Sequence, residues 1–183
     1  MKIVVGITGS SGAIYALDFL KKCPAQKFLI VSSWGKVLLR DELNMGEKDL
    51  KPYVDRIFSD DDLTAPTASG SNYFDAFVLI PGSTSTIGKI ASGIGDTLIT
   101  RTAQVCLKER YKLILCIRET PLSTVTLEQC ARLSAYGAVV MPISPPMYFV
   151  PGTVDEYVGA YTDRVLAQIG IRPEQGWRSQ ELE

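Results

Sequence analysis

Gly6-Ile7-Thr8-Gly9-Ser10-Ser11-Gly12-Ala13 is where one hydrophobic period gives way to another. Upstream, Ile3, Val4 and Val5 form the β-branched run of a strand buried on both faces. Downstream, Ile14, Tyr15, Leu17 and Leu20 recur at helical spacing. A strand that enters a helix through a glycine-rich turn opens an α/β fold. Glycine lets the backbone approach a ligand closely, and the N–H groups at a helix start attract phosphate. The turn therefore reads as a nucleotide-phosphate site, with an ordinary tight β–α turn as the alternative.

At 183 residues the chain reads as one domain, large enough for a full core. A formal net charge of −1 shows no basic excess, which argues against nucleic acid or an anionic membrane as the main partner. No apolar run reaches the roughly 18 residues that span a bilayer, and no charged leader precedes the first strand. Cys23, Cys106, Cys116 and Cys130 form no CxxC pair and read as the reduced thiols of a cytoplasmic protein. Histidine is absent, which excludes a Ser-His-Asp triad, a His-ligated metal and a His base. Proton transfer must then use carboxylates, Lys, Tyr, Cys or the ligand itself.

The second strand, Lys27 to Ser32, ends in Ser32-Ser33-Trp34, where a dinucleotide fold would carry an acidic residue for the ribose. The first turn also reads GxxGxxG from Gly6, not GxGxxG. Both departures favour a mononucleotide such as FMN over NAD. A helix is expected from Trp34 to Leu43; its Glu42 is either a solvated carboxylate or a functional one. A short helix over Lys48–Tyr53 and a third strand at Arg56-Ile57-Phe58 follow. Asp60-Asp61-Asp62 reads as a solvated turn rather than a cation site. Ala65 to Ser71 reads as a loop without periodicity.

The fourth strand, Asp75 to Pro81, leads into a second hydroxyl-rich turn containing Ser83, Thr84, Ser85 and Thr86. A helix begins at Ile87, Gly93-Ile94-Gly95 interrupts it, and Asp96 is expected to cap the next. Arg101 and Lys108 on that next helix share a face, which a solvated surface explains as readily as an anion site. The fifth strand, Leu113 to Ile117, ends in Arg118-Glu119, where open α/β sheets place ligands. A helix over Thr126–Tyr136, a sixth strand over Ala138–Met141 and a proline-rich connection containing Tyr148 come next. The last helix, Val154 to Ile169, is stopped by Gly170, and a polar tail containing Trp177 follows.

The expected fold is α/β: a three-layer, Rossmann-like, doubly wound parallel sheet of six strands in the order 3-2-1-4-5-6. Strands one and four are then neighbours where the winding reverses, so the two hydroxyl-rich turns meet at the ligand crevice. Residues 1–170 form a single domain and residues 171–183 a tail.

Taken together, Gly9-Ser10-Ser11-Gly12-Ala13, Ala68-Ser69-Gly70-Ser71, Ser83-Thr84, Leu107-Lys108-Glu109-Arg110, Arg118-Glu119-Thr120-Pro121-Leu122, Pro145-Pro146-Met147-Tyr148 and Asp163-Arg164-Val165-Leu166 resemble the flavin prenyltransferase (UbiX) family. That family lies within the homo-oligomeric flavoproteins that include cysteine decarboxylases. The resemblance implies a metal-independent transfer of a dimethylallyl group from dimethylallyl phosphate to N5 and C6 of reduced FMN. The product, prenylated FMN, serves UbiD-type decarboxylases. It implies that Gly9, Ser10, Ser11, Ser32, Ser83, Thr84, Ser85, Thr86 and Arg118 hold FMN. Arg101, Lys108, Tyr148 and Arg164 would hold the prenyl phosphate, with Trp177 in a C-terminal lid.

By the same resemblance, Glu119 with Ser11 relays a proton to the departing phosphate, and Glu42 manages protons near N5 and C6. The family's dodecamer of trimers would place the flavin at subunit contacts. Gly82, Ser33 and Phe149 depart from residues the family often has at those positions, Cys, Lys and His. Two other readings stand beside this one. An FMN-binding carrier or accessory subunit of a decarboxylase would need no prenyl-phosphate pocket. A cysteine decarboxylase-like oxidoreductase would rely on a histidine that is absent here.

Overall fold

Side chains alternate across a strand, so a run of apolar residues in the middle of a sheet must feed two cores. In the computed structural model, which describes residues 1–148 and 150–172, this is how β1 (Lys2–Ile7) behaves. Ile3, Val5 and Ile7 enter one core and Val4 the other, all of them without exposed surface. The chain continues through α1 (Ala13–Lys22), β2 (Gln26–Val31), α2 (Ser33–Leu43), β3 (Arg56–Ser59), β4 (Ala76–Gly82) and α3 (Thr84–Ala91). It ends with α4 (Leu98–Glu109), β5 (Lys112–Ile117), α5 (Thr124–Ala135), β6 (Val139–Pro142) and α6 (Val154–Gln168).

The six strands form one parallel sheet in the order β3-β2-β1-β4-β5-β6, as the alternation of strands and helices requires. One face carries α1, α2 and α6, through Phe19, Leu20, Leu39, Tyr161 and Val165 packed on Val5, Leu29 and Val78. The other carries α3, α4 and α5, through Ile87, Ile90, Leu98, Ala103 and Leu133 packed on Phe77, Leu79 and Leu115. Each fully buried Leu, Ile or Phe contributes about 1.5–3 kcal/mol relative to exposure, so the central strands dominate stability.

Most differences from expectation fall at helix starts, where Ser and Thr leave the ladder to cap. Ser32 was expected to end the second strand, but its hydroxyl accepts the Gly35 N–H at 3.0 Å and caps α2. Ser83 caps α3 through Thr86 N–H, so that helix begins at Thr84 rather than Ile87. Thr97, not Asp96, caps α4; Asp96 instead pairs with Lys89 at 2.7 Å. Ser123 caps α5, which starts at Thr124. Pro66–Ala68 form a 3₁₀ turn inside the stretch read as irregular, and Glu47–Tyr53 form another where a short helix was expected. β6 is displaced one residue forward, to Val139–Pro142. Among the described residues no helix is long and apolar enough to cross a membrane, and the four cysteines are free thiols.

Candidate functional site

The C-terminal ends of β1, β4 and β5 are stitched to one another by backbone and hydroxyl groups. Thr8 N–H and Thr8 Oγ1 both donate to the carbonyl of Pro81, at 3.2 and 2.8 Å. Ser83 N–H donates back to Thr8 Oγ1 at 2.8 Å. Arg118 N–H donates to Gly82 O at 3.3 Å, and Ser10 Oγ donates to Arg118 O at 2.5 Å. On the other side of β1, Ser32 N–H donates to Ile7 O at 3.0 Å. The turns after β1, β2, β4 and β5 are thus held in one crown.

Beside this crown opens a cavity of about 390 Å³, lined by Thr8 and Gly9, Ser32 to Trp34, Ser83, Ser85, Thr86 and Lys89, and on its far side by Asp60 and the start of α4. Gly9 is required by space: a Cβ there would lie 2.4 Å from Cβ of Trp34. Three helix N-termini border the cavity, those of α2, α3 and α4. Each leaves first-turn N–H groups without an intrahelical partner and carries a partial positive charge. The start of α4 is already closed, because the Asp60 carboxylate accepts Ile99 N–H at 2.9 Å and its carbonyl accepts Leu98 N–H at 2.7 Å. Asp60 was expected to be plainly solvated. Burial instead pushes its carboxyl above the usual range, opposed by the bonds from Ile99 and Thr97 and reinforced by Asp61 and Asp96.

The starts of α2 and α3, with the hydroxyls of Ser32, Ser83, Ser85 and Thr86, are the surfaces suited to a phosphate. The turns after β1 and β4, expected to meet, do so here through Thr8, Gly9 and Ser83, and Ser32, grouped with Ser83 by the resemblance, lines the same cavity. Ser10 and Ser11 lie in the adjoining turn, whose other end differs from expectation. Glu42 reaches back from α2, and its carboxylate accepts the N–H of Gly12 at 2.9 Å and of Ala13 at 2.8 Å. The left-handed φ of +112° at Gly12 turns its amide toward Glu42. Ser10 directs its hydroxyl to Arg118 and its N–H to Thr8 O, at 2.9 Å. That link ties the β1 turn, which carries Ser11, to the residues after β5, which include Glu119. Glu119 accepts Thr120 N–H at 2.9 Å.

The expected prenyl-phosphate cations are not assembled within one subunit. Arg101 stands in the first turns of α4 and donates to Gly95 O at 3.1 Å. Lys108 lies near the other end of α4, ion-paired with Glu109 and against Gly70. Arg164 is on α6, across the sheet from α4. Tyr148 is partly exposed in the connection after β6. Phe149 and Trp177 lie outside the described residues. Asp60, Lys89, Thr97 and Thr100 line the cavity but were not foreseen as site residues; for Asp60, its place at the end of a strand was the available signal.

A parallel sheet wound in both directions, with a hydroxyl-rich anion site at its switch point, defines a mononucleotide-binding α/β protein. The sequence matches the Flavoprotein family over residues 1–165. It is 42% identical over 172 residues to flavin prenyltransferase UbiX of Thermoplasma acidophilum, covering 93% of this chain and 96% of that one. A crystal structure of AnUbiX (PadA1) in complex with FMN and dimethylallyl pyrophosphate superposes with a TM-score of 0.91 at 31% identity, over 97% of this chain and 98% of that one. A dodecameric FMN-dependent UbiX-like decarboxylase from Escherichia coli O157:H7 superposes with a TM-score of 0.93 at 35% identity, over 97% and 100%. The chain belongs to the Flavoprotein family, in its UbiX flavin prenyltransferase branch.

Proposed function

We propose that this chain transfers a dimethylallyl group from a dimethylallyl phosphate ester to N5 and C6 of reduced FMN, supplying prenylated FMN to a UbiD-type decarboxylase in the cytoplasm. The observation that carries the reading is the meeting of Ser32, Ser83, Ser85 and Thr86 around one cavity, beside two helix starts open to an anion. In this reading Gly9, Ser11, Ser32, Ser83 to Thr86 and Arg118 hold FMN, and Ser10 keeps Arg118 in place. Reduced FMN supplies the nucleophilic ring positions.

The allylic C–O bond breaks as the C1–N5 bond forms, and the phosphate leaves with the electron pair; N5 sheds its proton, the alkene takes one at C2, and C6 bonds to the resulting C3 centre as it loses its own. Arg101, Lys108, Tyr148 and Arg164 stabilise the charge that collects on its oxygens. Glu119, with Ser11, gives the leaving phosphate a proton, and Glu42 accepts the one lost from C6. Because α4 and α6 stand on opposite faces of the sheet, the cation set is completed by another copy of the chain, in keeping with the dodecameric relative. Residues 1–170 act as the flavin domain and residues 171–183, with Trp177, as a lid.

The test is to incubate the protein anaerobically with reduced FMN and either dimethylallyl phosphate or the diphosphate, then weigh the flavin by mass spectrometry. Flavin heavier by one five-carbon unit is expected. Unchanged flavin with both donors, alongside normal FMN binding, would leave an FMN carrier.

A further inference from the structure

Thr8 opens the first hydroxyl-rich turn and reaches across to the second. Its side chain is 2% exposed and borders the cavity. A threonine hydroxyl has one proton and two lone pairs. The proton goes to Pro81 O, and one lone pair takes Ser83 N–H, both at 2.8 Å. With its only proton engaged, Thr8 has no hydrogen bond to give an anion. What it holds is the N-cap of α3.

Ser83 has no freedom left to turn. Its N–H is on Thr8, its hydroxyl accepts Thr86 N–H at 3.3 Å, and the Ser83 and Thr86 hydroxyls share a bond of 2.9 Å. The amides of Thr84 and Ser85, the first two of α3, are the ones that lack an intrahelical partner. Their direction follows from the orientation of the cap, and the cap is fixed from β1 by one buried hydroxyl.

We propose that Thr8 is a positioning residue for phosphate recognition: through Ser83 N–H it sets the angle at which α3 presents the Thr84 and Ser85 amides to the phosphate of FMN. The inference rests on the FMN reading above and concerns the phosphate alone. Riboflavin, which has the same ring and ribityl chain without the phosphate, is therefore the matched control.

The experiment measures FMN and riboflavin affinities, by quenching of flavin fluorescence, for the wild type, Thr8→Val and Thr8→Ser, with a thermal melt of each. The wild type is expected to prefer FMN by on the order of 100-fold, the strength of a few charge-assisted hydrogen bonds. Thr8→Val, close in volume, is expected to lose about tenfold of that preference while riboflavin affinity stays put. Thr8→Ser is expected to restore it. An unchanged preference in Thr8→Val, or a parallel loss for both ligands, would overturn the proposal. If Thr8→Val does not fold, Thr8→Cys carries the same comparison. A wild type that binds both flavins equally would sink the FMN reading and this inference with it, whereas a discriminating wild type with an indifferent Thr8→Val would sink the inference alone.

Discussion

The turn after β1 and the turn after β4 are built from the same small residues and end in different states. At the start of α1 the Gly12 and Ala13 amides are held by the Glu42 carboxylate. At the start of α3, among the described residues, no carboxylate lies on the Thr84 or Ser85 amides, and hydroxyls surround them. A glycine- and serine-rich helix start binds an external anion only where no acidic side chain of the same chain arrives first. In the proposed reading the β4 turn would grip the phosphate, and the β1 turn, linked through Ser10 to the Arg118–Glu119 end of β5, would form the chemical side of the site.

The largest expected effect tests that chemical side. Glu119→Gln should lower prenyl transfer by about 100-fold or more while FMN affinity stays within about twofold; full turnover in this variant would remove Glu119 from the reaction. Next, Ser83→Ala should weaken FMN binding by about tenfold and cost about 1 kcal/mol of stability through the lost cap, read by flavin titration and chemical denaturation. The counterpart at the first turn is Glu42→Ala. It should cost a similar ~1 kcal/mol, since two amides lose their partner, yet leave FMN affinity intact or raised. A tenfold loss of FMN there would erase the distinction between the turns.

The smallest effect concerns the third helix start. Burial raises the Asp60 carboxyl above its ordinary value, so its charged form burdens the fold. That burden is absent below the ordinary carboxylate range and fully present above the raised one. Asp60→Asn should therefore raise the melting temperature slightly at neutral pH, and the gain should shrink as pH falls through the carboxyl's range. A gain that grows on acidification would contradict the assignment.

The strand order was legible because apolar runs at Ile3–Val5, Phe28–Val31 and Phe77–Ile80 admit few other arrangements, and handed crossovers leave few topologies. The convergence of the turns after β1 and β4 followed from that order. What stayed hidden were choices of partner. Glu42 could have been solvated, and only the packing of α2 on α1 brings it to Gly12. Ser32, Ser83 and Thr97 could have continued a strand or a loop, because their hydroxyls serve either state until the next turn of helix forms. Asp60 resembled its two acidic neighbours in sequence and differs from them only because α4 begins above it.

Placing Lys108 and Arg164 on opposite sides of the sheet has a consequence for inheritance rather than for chemistry. If each reaction centre borrows one cation from each of two copies, a Lys108→Ala chain and an Arg164→Ala chain are each dead alone but not equivalent. Co-assembled, they would form some centres that carry both defects and others that carry neither. Two inactive alleles of this protein would then rescue one another in a mixed particle.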